Sequence, residues 1–261
     1  MRLTHALLAS DSNPRYLDFW PLARRAWSDV VGIEPVLVLV AEPAQVPAAL
    51  RLDPLVHVFP PVPSIHTAFQ AQCIRLLYPA LLEAEGAVVV SDADMVPLSS
   101  RYFRRAVSRV DEEHFVAFRD AHLSSGEIPI CYNAALPRTW GGIFGVKALE
   151  NVRTRLAEWG AEVEYEGVRA GRGWLTDQRI LYRSLVDHGR RTRTVWILDD
   201  HYTGFRRLER DVVQKRGGLD EAERRRISHG VYADFHCAQP YSDFRSLNES
   251  AVDAAADSRA D

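Results

Sequence analysis

Cysteine is scarce in this chain, with only Cys73, Cys131 and Cys237, which stand far apart. An odd, scattered set excludes a disulfide framework and a CxxC-type zinc site, and points to a reducing compartment. Charge of one sign is lacking as well: 32 Lys and Arg stand against 35 Asp and Glu, a formal net charge of −3. No long-range field then draws the whole protein to nucleic acid or to a membrane surface, so any anion site must be local. Long apolar runs are absent. The longest aliphatic stretch, Val36 to Ala41, has the length of a strand and falls well short of the ~20 residues of a membrane span. The first residues carry no basic region followed by a long apolar core, which is the pattern of a leader. These absences predict a soluble, cytoplasmic protein without a nucleic-acid partner, and no internal repeat is visible.

What is present suffices for a full core. The chain has 261 residues, 47% of them apolar, a size that suits a compact α/β unit. Leu3 to Ala9 reads as a strand, and Ser10-Asp11-Ser12-Asn13-Pro14 as the loop after it. Ser12 or Asn13 then caps a helix with Pro14 in its first turn and Leu17, Trp20, Ala23 and Trp27 on one face. Pro35 to Val40 and Val56 to Phe59 read as further strands. Ser64 is expected to cap a helix running to about Glu85, with Phe69, Cys73, Leu76 and Leu77 inward. Ala87 to Val90 is a buried strand that runs directly into Ser91-Asp92-Ala93-Asp94. Alternating strands and helices predict a mostly parallel central sheet flanked by helices, with ligands beyond the carboxyl ends of the strands, where Asp11 and Asp92 fall. In the second half Phe115 to Phe118 and Val195 to Leu198 read as strands and Leu175 to Val186 as a helix. Residues 205–226 hold eight basic residues (Arg206, Arg207, Arg210, Lys215, Arg216, Arg224, Arg225, Arg226) against five acidic. That segment reads as a pair of solvated surface helices or, given Gly217-Gly218, as a loop over a site. From Glu249 onward Ala, Asp and Ser offer little to bury, so 249–261 is expected to be a disordered tail.

Asp92-Ala93-Asp94 carries the strongest chemical signal. In extended or turning backbone, side chains at i and i+2 point the same way, so two carboxylates can reach one hard cation and leave its other positions for phosphate oxygens. Such a cation neutralises charge building on a diphosphate leaving group. A turn or a helix cap is the blander use of the same residues. Oxygen ligands with a nitrogen partner suit Mn2+ best and Mg2+ next, and His236 is the candidate nitrogen.

Val88-Val89-Val90-Ser91-Asp92-Ala93-Asp94-Met95-Val96-Pro97-Leu98 resembles the metal-binding segment of GT-A glycosyltransferases, in particular the retaining family 8 group that includes glycogenin- and galactosyltransferase-like enzymes. The preceding Arg75-Leu76-Leu77-Tyr78-Pro79-Ala80-Leu81-Leu82 is similar to that group's helix whose basic residue contacts the donor. Tyr132-Asn133-Ala134-Ala135 and Leu175-Thr176-Asp177-Gln178-Arg179-Ile180-Leu181 are similar to two later motifs. His236 to Tyr241 is similar to the closing motif whose histidine completes the metal site. The motifs follow in family order from Arg75 to Tyr241. Three residues depart from the pattern: Ala135 replaces glycine, Gln239 the lysine that grips the diphosphate, and Tyr241 tryptophan. Arg206, Arg207, Lys215 or Arg216 are candidates for the missing positive charge.

The resemblance implies a GT-A fold over 1–248, with a nucleotide-sugar-binding half at about 1–110 and an irregular acceptor-side half at about 111–248. It implies a nucleotide diphosphate sugar donor, uridine-linked, and transfer to a glycan or other hydroxyl acceptor with retention of anomeric configuration. Ala9, Ser10 and Asp11 would cradle the nucleotide, and Arg75, Asp92, Ala93 and Asp94 would bind the diphosphate. Asp92, Asp94 and His236 would hold the metal, and Asp177, Gln178 and Asn133 would lie by the sugar. Read as residues alone, Asp11 serves as well for a helix cap, and so does Asp177. An inverting enzyme would use Asp177 or Asp120 as general base. Two other classes fit parts of the pattern: a haloacid-dehalogenase-like phosphatase, with Asp92 as nucleophile and Asp199-Asp200 as its acidic pair, and a non-catalytic sugar-nucleotide-binding protein. Trp140, Trp174 and Tyr202 are candidates for stacking on sugar rings.

Overall fold

The computed structural model describes residues 1–168 and 170–257. Its ten strands are β1 (Leu3–Asp11), β2 (Glu34–Val40), β3 (Val56–Phe59), β4 (Ala87–Val90), β5 (Met95–Pro97), β6 (Phe115–Ala117), β7 (Asn133–Ala135), β8 (Val195–Ile197), β9 (Arg207–Leu208) and β10 (Asp234–His236). The α-helices are α1 (Pro14–Leu17), α2 (Trp20–Arg25), α3 (Ala48–Arg51), α4 (Thr67–Leu77), α5 (Ser100–Val107), α6 (Pro137–Phe144), α7 (Leu149–Ala161), α8 (Thr176–Thr192), α9 (Asp200–Thr203), α10 (Arg210–Arg216), α11 (Glu221–Ser228) and α12 (Arg245–Ala256).

Seven strands form the central sheet in the order β3-β2-β1-β4-β7-β6-β8. The first four are parallel, as near-continuous apolar strands buried on both faces require. β7 runs antiparallel to both of its neighbours. Chain order reverses between β1 and β4, so a crevice opens beyond their carboxyl ends, where such sheets receive ligands. One face of the sheet is covered by a cluster that includes Phe19, Trp27, Phe103 and Tyr132. The other is covered by Phe69, Leu76, Leu77, Trp140 and Leu156. A second sheet, β5-β10-β9, ties the two halves of the chain together. β10 lies antiparallel to β5 with His236 opposite Met95, and the Cys237 N–H donates to the Asp94 carbonyl at 2.9 Å.

The strands expected at β1 to β4, β6 and β8 are present, as is α8. The helix expected after Pro14 is broken. Asn13 caps α1, but Pro21 has no N–H to continue the ladder, and the chain restarts as α2 before a wide turn over Ala26–Val31. Ser64 does not cap α4. It sits at φ 66, and the His66 side chain accepts the Ala68 N–H at 3.2 Å instead. α4 itself ends at Leu77, where a 3-10 turn over Tyr78–Leu81 begins.

The expected tail from Glu249 is corrected. Residues 245–256 form α12, and Ala251, Val252 and Ala255 are buried. Alanine is the best helix former, and its small side chain lets α12 pack closely against α11 and the turn at Ala26–Val31. Asn248 fixes the helix to the main chain by donating to the Ala238 carbonyl and accepting its N–H, both at 2.9 Å. Residues 258–261 lie outside the described residues. Placing a carboxylate in this contact with Val252→Asp is expected to cost ~3 kcal/mol or more, read as a fall in the urea midpoint. A disordered tail would leave the midpoint unchanged.

Candidate functional site

A cavity of about 620 Å3 fills the crevice beyond β1 and β4, within the range of ~300–1,000 Å3 typical of clefts for cofactor-sized ligands. Ten of the eleven residues expected at the site line it: Ala9, Ser10, Asp11, Arg75, Asp92, Ala93, Asp94, Asp177, Gln178 and His236. They come from five separate places in the chain. β1 delivers Ala9 to Asp11, the last turn of α4 delivers Arg75, and the turn after β4 delivers Asp92 to Asp94. The first turn of α8 delivers Asp177 and Gln178, and β10 delivers His236.

Asn133 is the exception, and the expectation that it acts on the sugar is corrected. It is fully buried in β7, and its Nδ2 donates to the carbonyls of Pro129 and Ile130 at 2.8 and 2.6 Å, bracing the loop that ends in the cavity wall. Asp120 does not line the cavity either; its Oδ1 accepts the Asp200 N–H at 3.2 Å. Asp199 caps α9, and Asp200 pairs with Arg119 at 2.9 Å. The acidic pair a phosphatase would need is therefore spent elsewhere. Of the aromatic candidates Trp140 is core, Tyr202 is exposed away from the cavity, and Trp174 lines it.

Arg75 is the hub. Its Nη1 donates to Asp92 Oδ1, its Nη2 to Asp177 Oδ2 at 3.0 Å, and its Nε to the Gln72 carbonyl at 3.2 Å. Burial alone would lower its pKa, but the two carboxylates outweigh that and raise it, so it stays charged. One guanidinium serves two carboxylates in different surroundings, Asp92 partly exposed and Asp177 buried. For Asp92 burial pushes the pKa up, but the charge and hydrogen bond of Arg75, with smaller contributions from His236 and Cys131, together hold the carboxyl below its usual range. For Asp177, 3% exposed, burial dominates, Arg75 offsets it only in part, the nearby Asp92 charge opposes ionisation, and the pKa is pushed up to about 6.

Asp94 is held from the other wall. Its Oδ2 accepts from Arg210 Nη2 at 2.8 Å and Gln239 Nε2 at 2.7 Å, and His236 Nε2 lies 3.4 Å away. Burial lowers the His236 pKa, as do Arg210 and Arg207, against the pull of Asp94, so its imidazole is neutral near pH 7. Asp11 is neither free nor the helix cap. Its oxygens take the Asn13 N–H at 3.1 Å and the Thr67 hydroxyl at 2.9 Å, locking the end of β1 to α4.

Two carboxylates and a neutral imidazole suit Mn2+ or Mg2+ chemically. They are not gathered on one point: among the described residues no three His, Cys, Asp or Glu side chains stand where they could hold one ion. The two arginines occupy the carboxylates instead, so a cation would compete with Arg75 and Arg210 for them.

Two cavity arginines are not legible as site residues in the sequence. In the sequence Arg210 is one member of a basic run, and of that run it is Arg210, in place of Arg206, Arg207, Lys215 or Arg216, that lines the cavity. Arg207 is committed to Asp234 at 2.6 Å. Arg15 in α1 reaches Gln239 Oε1 at 3.2 Å and carries no sequence signal at all. The three cysteines are free and buried, as the scattered spacing implies, and burial pushes the Cys131 thiol up to about 12. Among the described residues no helix is long and apolar enough to cross a membrane.

No protein-family model matches this chain, and no curated protein matches it in sequence. Among solved structures it is similar to the glycosyltransferase GlyE of Streptococcus pneumoniae TIGR4, with a TM-score of 0.51 at 16% identity. That likeness covers 98% of this chain and 60% of the other, so this chain spans about three fifths of GlyE's length. Fainter likenesses are to the galactosyltransferase LgtC in complex with donor and acceptor sugar analogs (TM-score 0.46, 14% identity, 97% and 96% of the two chains) and to mouse xyloside xylosyltransferase 1 (0.44, 11%, 95% and 94%). The fold is thus of the GT-A type, a mixed α/β sheet of seven mostly parallel strands flanked by helices.

The Asp177 environment has a measurable signature. Because the folded chain holds this proton up to about pH 6, where an unfolded aspartate has lost it, folding is favoured at low pH. That advantage fades as pH rises through 6. Urea midpoints measured from pH 4 to 7 are expected to show a stability loss of about 2–3 kcal/mol that Asp177→Asn lacks.

Proposed function

We propose that this chain is a metal-dependent glycosyltransferase that moves a sugar from a uridine diphosphate sugar to an acceptor hydroxyl, with retention of anomeric configuration. The observation that carries the reading is the gathering of Asp11, Arg75, Asp92, Asp94, Asp177 and His236, from five places in the chain, around one cavity at the reversal point of a GT-A-type sheet. The likeness to the GlyE glycosyltransferase supports the fold on which this rests.

Charge supports the metal. Three arginines (Arg15, Arg75, Arg210) and four aspartates (Asp11, Asp92, Asp94, Asp177) line the cavity, and His236 is neutral. One negative charge is left in excess, which repels a diphosphate until a divalent cation reverses the balance. Asp92, Asp94 and His236 would hold that ion. When bound, it supplies a Lewis acid for the charge that builds on the leaving diphosphate.

The remaining roles fall to the chain itself. Ala9, Ser10 and Asp11 form the floor under the nucleotide, their backbone fixed by the Asp11 bonds to Asn13 and Thr67. Arg75 would hold Asp92 toward the diphosphate and Asp177 toward the sugar, orienting both carboxylates. An ionised Asp177 favours positive charge developing at the anomeric carbon, and Gln178 beside it positions the sugar hydroxyls. No protein base is needed where the leaving diphosphate takes the acceptor proton on the same face. Trp174 offers an aromatic surface at the cavity for a sugar ring.

Titration of uridine diphosphate into the protein by calorimetry is expected to show Mn2+-dependent binding, weakened at least about tenfold, or ~1.4 kcal/mol, in Asp94→Ala. Absence of binding with and without Mn2+ would rule the reading out. The anomeric configuration of the product, read by NMR, tests retention.

A further inference from the structure

We propose that Arg210 couples cation binding to diphosphate binding: it holds Asp94 while the site is empty, is displaced when a cation takes that carboxylate, and turns onto the donor's diphosphate. The inference rests on the reading of this cavity as a donor site and goes on to assign an order of events within it.

Arg210 and Arg75 both sit on a site carboxylate, but they are held differently. Arg75 has each of its three nitrogens engaged, on Asp92, Asp177 and the Gln72 carbonyl, which fixes it. Arg210 has Nη2 on Asp94 Oδ2 at 2.8 Å, while its Nε is buried with no hydrogen-bond partner. The side chain is 11% exposed and lines the cavity. A buried guanidinium N–H without an acceptor is costly in isolation, and at the wall of an anion cavity it is a place prepared for a phosphoryl oxygen. Together, Nε and Nη2 present the planar fork that grips two such oxygens.

Asp94 Oδ2 is also overcommitted. Arg210, Gln239 and His236 all crowd this one oxygen. A divalent ion and a guanidinium repel each other on a shared oxygen, so the ion's arrival expels the arginine. Gln239 can follow the carboxylate but carries no charge to offer a diphosphate. Arg210 brings that charge from another segment. Its backbone can stay in place during the swing, since Val213 anchors α10 in the core and Gln214 Nε2 donates to the Gln239 carbonyl at 3.2 Å. Only the side chain need turn. Lys215, exposed on the same helix and outside the cavity, serves as the control.

Calorimetry on the full chain tests this with two probes, Mn2+ alone and uridine diphosphate at saturating Mn2+. Removing the competitor in Arg210→Ala is expected to tighten Mn2+ several-fold and to weaken uridine diphosphate about tenfold. Arg210→Gln, which keeps the bulk of the side chain, is expected to move both affinities in the same opposed directions. Arg210→Lys, which keeps the charge without the fork, is expected to retain part of the nucleotide affinity, and Lys215→Ala, at an exposed residue of α10 outside the cavity, to leave both affinities unchanged. Opposed shifts support the coupling. Loss of both affinities marks Arg210 as a structural brace and overturns it, as does unchanged nucleotide binding in Arg210→Ala and Arg210→Gln. If the wild-type chain binds Mn2+ but no uridine diphosphate, the donor-site reading and this inference fall together. If it binds both and the variants match it, only this inference falls.

Discussion

The site depends on one buried arginine that serves two aspartates in different surroundings. Arg75 lies between Asp92 on the strand-end turn and Asp177 at the start of α8, and it joins the first half of the sheet to the later half of the chain at the floor of the cavity. Buried ion networks contribute little net stability, because desolvation consumes most of the attraction. Their value here is positional. Replacing the three groups with apolar residues could stabilise the fold but would leave nothing to fix the direction of either carboxylate. The different surroundings also differentiate two chemically identical side chains. Asp92, favoured by the guanidinium, is held ionised and suited to a cation, while Asp177 is held near the point of protonation. Arg210 and Asp94 repeat the theme on the opposite wall with a looser grip, which is why one arginine is a fixture and the other is free to move.

Legibility in the sequence followed the physics of each element. β1, β2 and β4 are buried on both faces, so their apolar runs announce themselves, and their carboxyl ends locate the cavity. The three-residue and two-residue strands β5, β9 and β10 carry no period long enough to read, though β10 is what brings His236 to Asp94. α12 was misread because alanine looks unremarkable on a hydrophobicity scale while being well suited to close helix packing. Ser64 misled because a cap residue is recognised by type, and its left-handed backbone is invisible in sequence. Among cavity-lining residues, those inside motifs are legible, and Asn133 is the motif residue that lies in the core instead. Arg210 and Arg15 sit on short polar helices where every arginine looks alike, and only the fold distinguishes the ones that reach inward.

The pairing of β10 with β5 bears on how the protein is made. A chain growing from its N-terminus presents Asp92 and Asp94 when β1 and β4 can already pair, whereas Arg210, His236 and Gln239 emerge more than a hundred residues later. Until then Asp94 lacks its partners at the rim of the nascent sheet, and α12 must still close over Ala238 before the segment bearing His236 is fixed. The central sheet can therefore form well ahead of the wall that completes the cavity, and the pocket takes its final shape only after the strands that define its floor have paired.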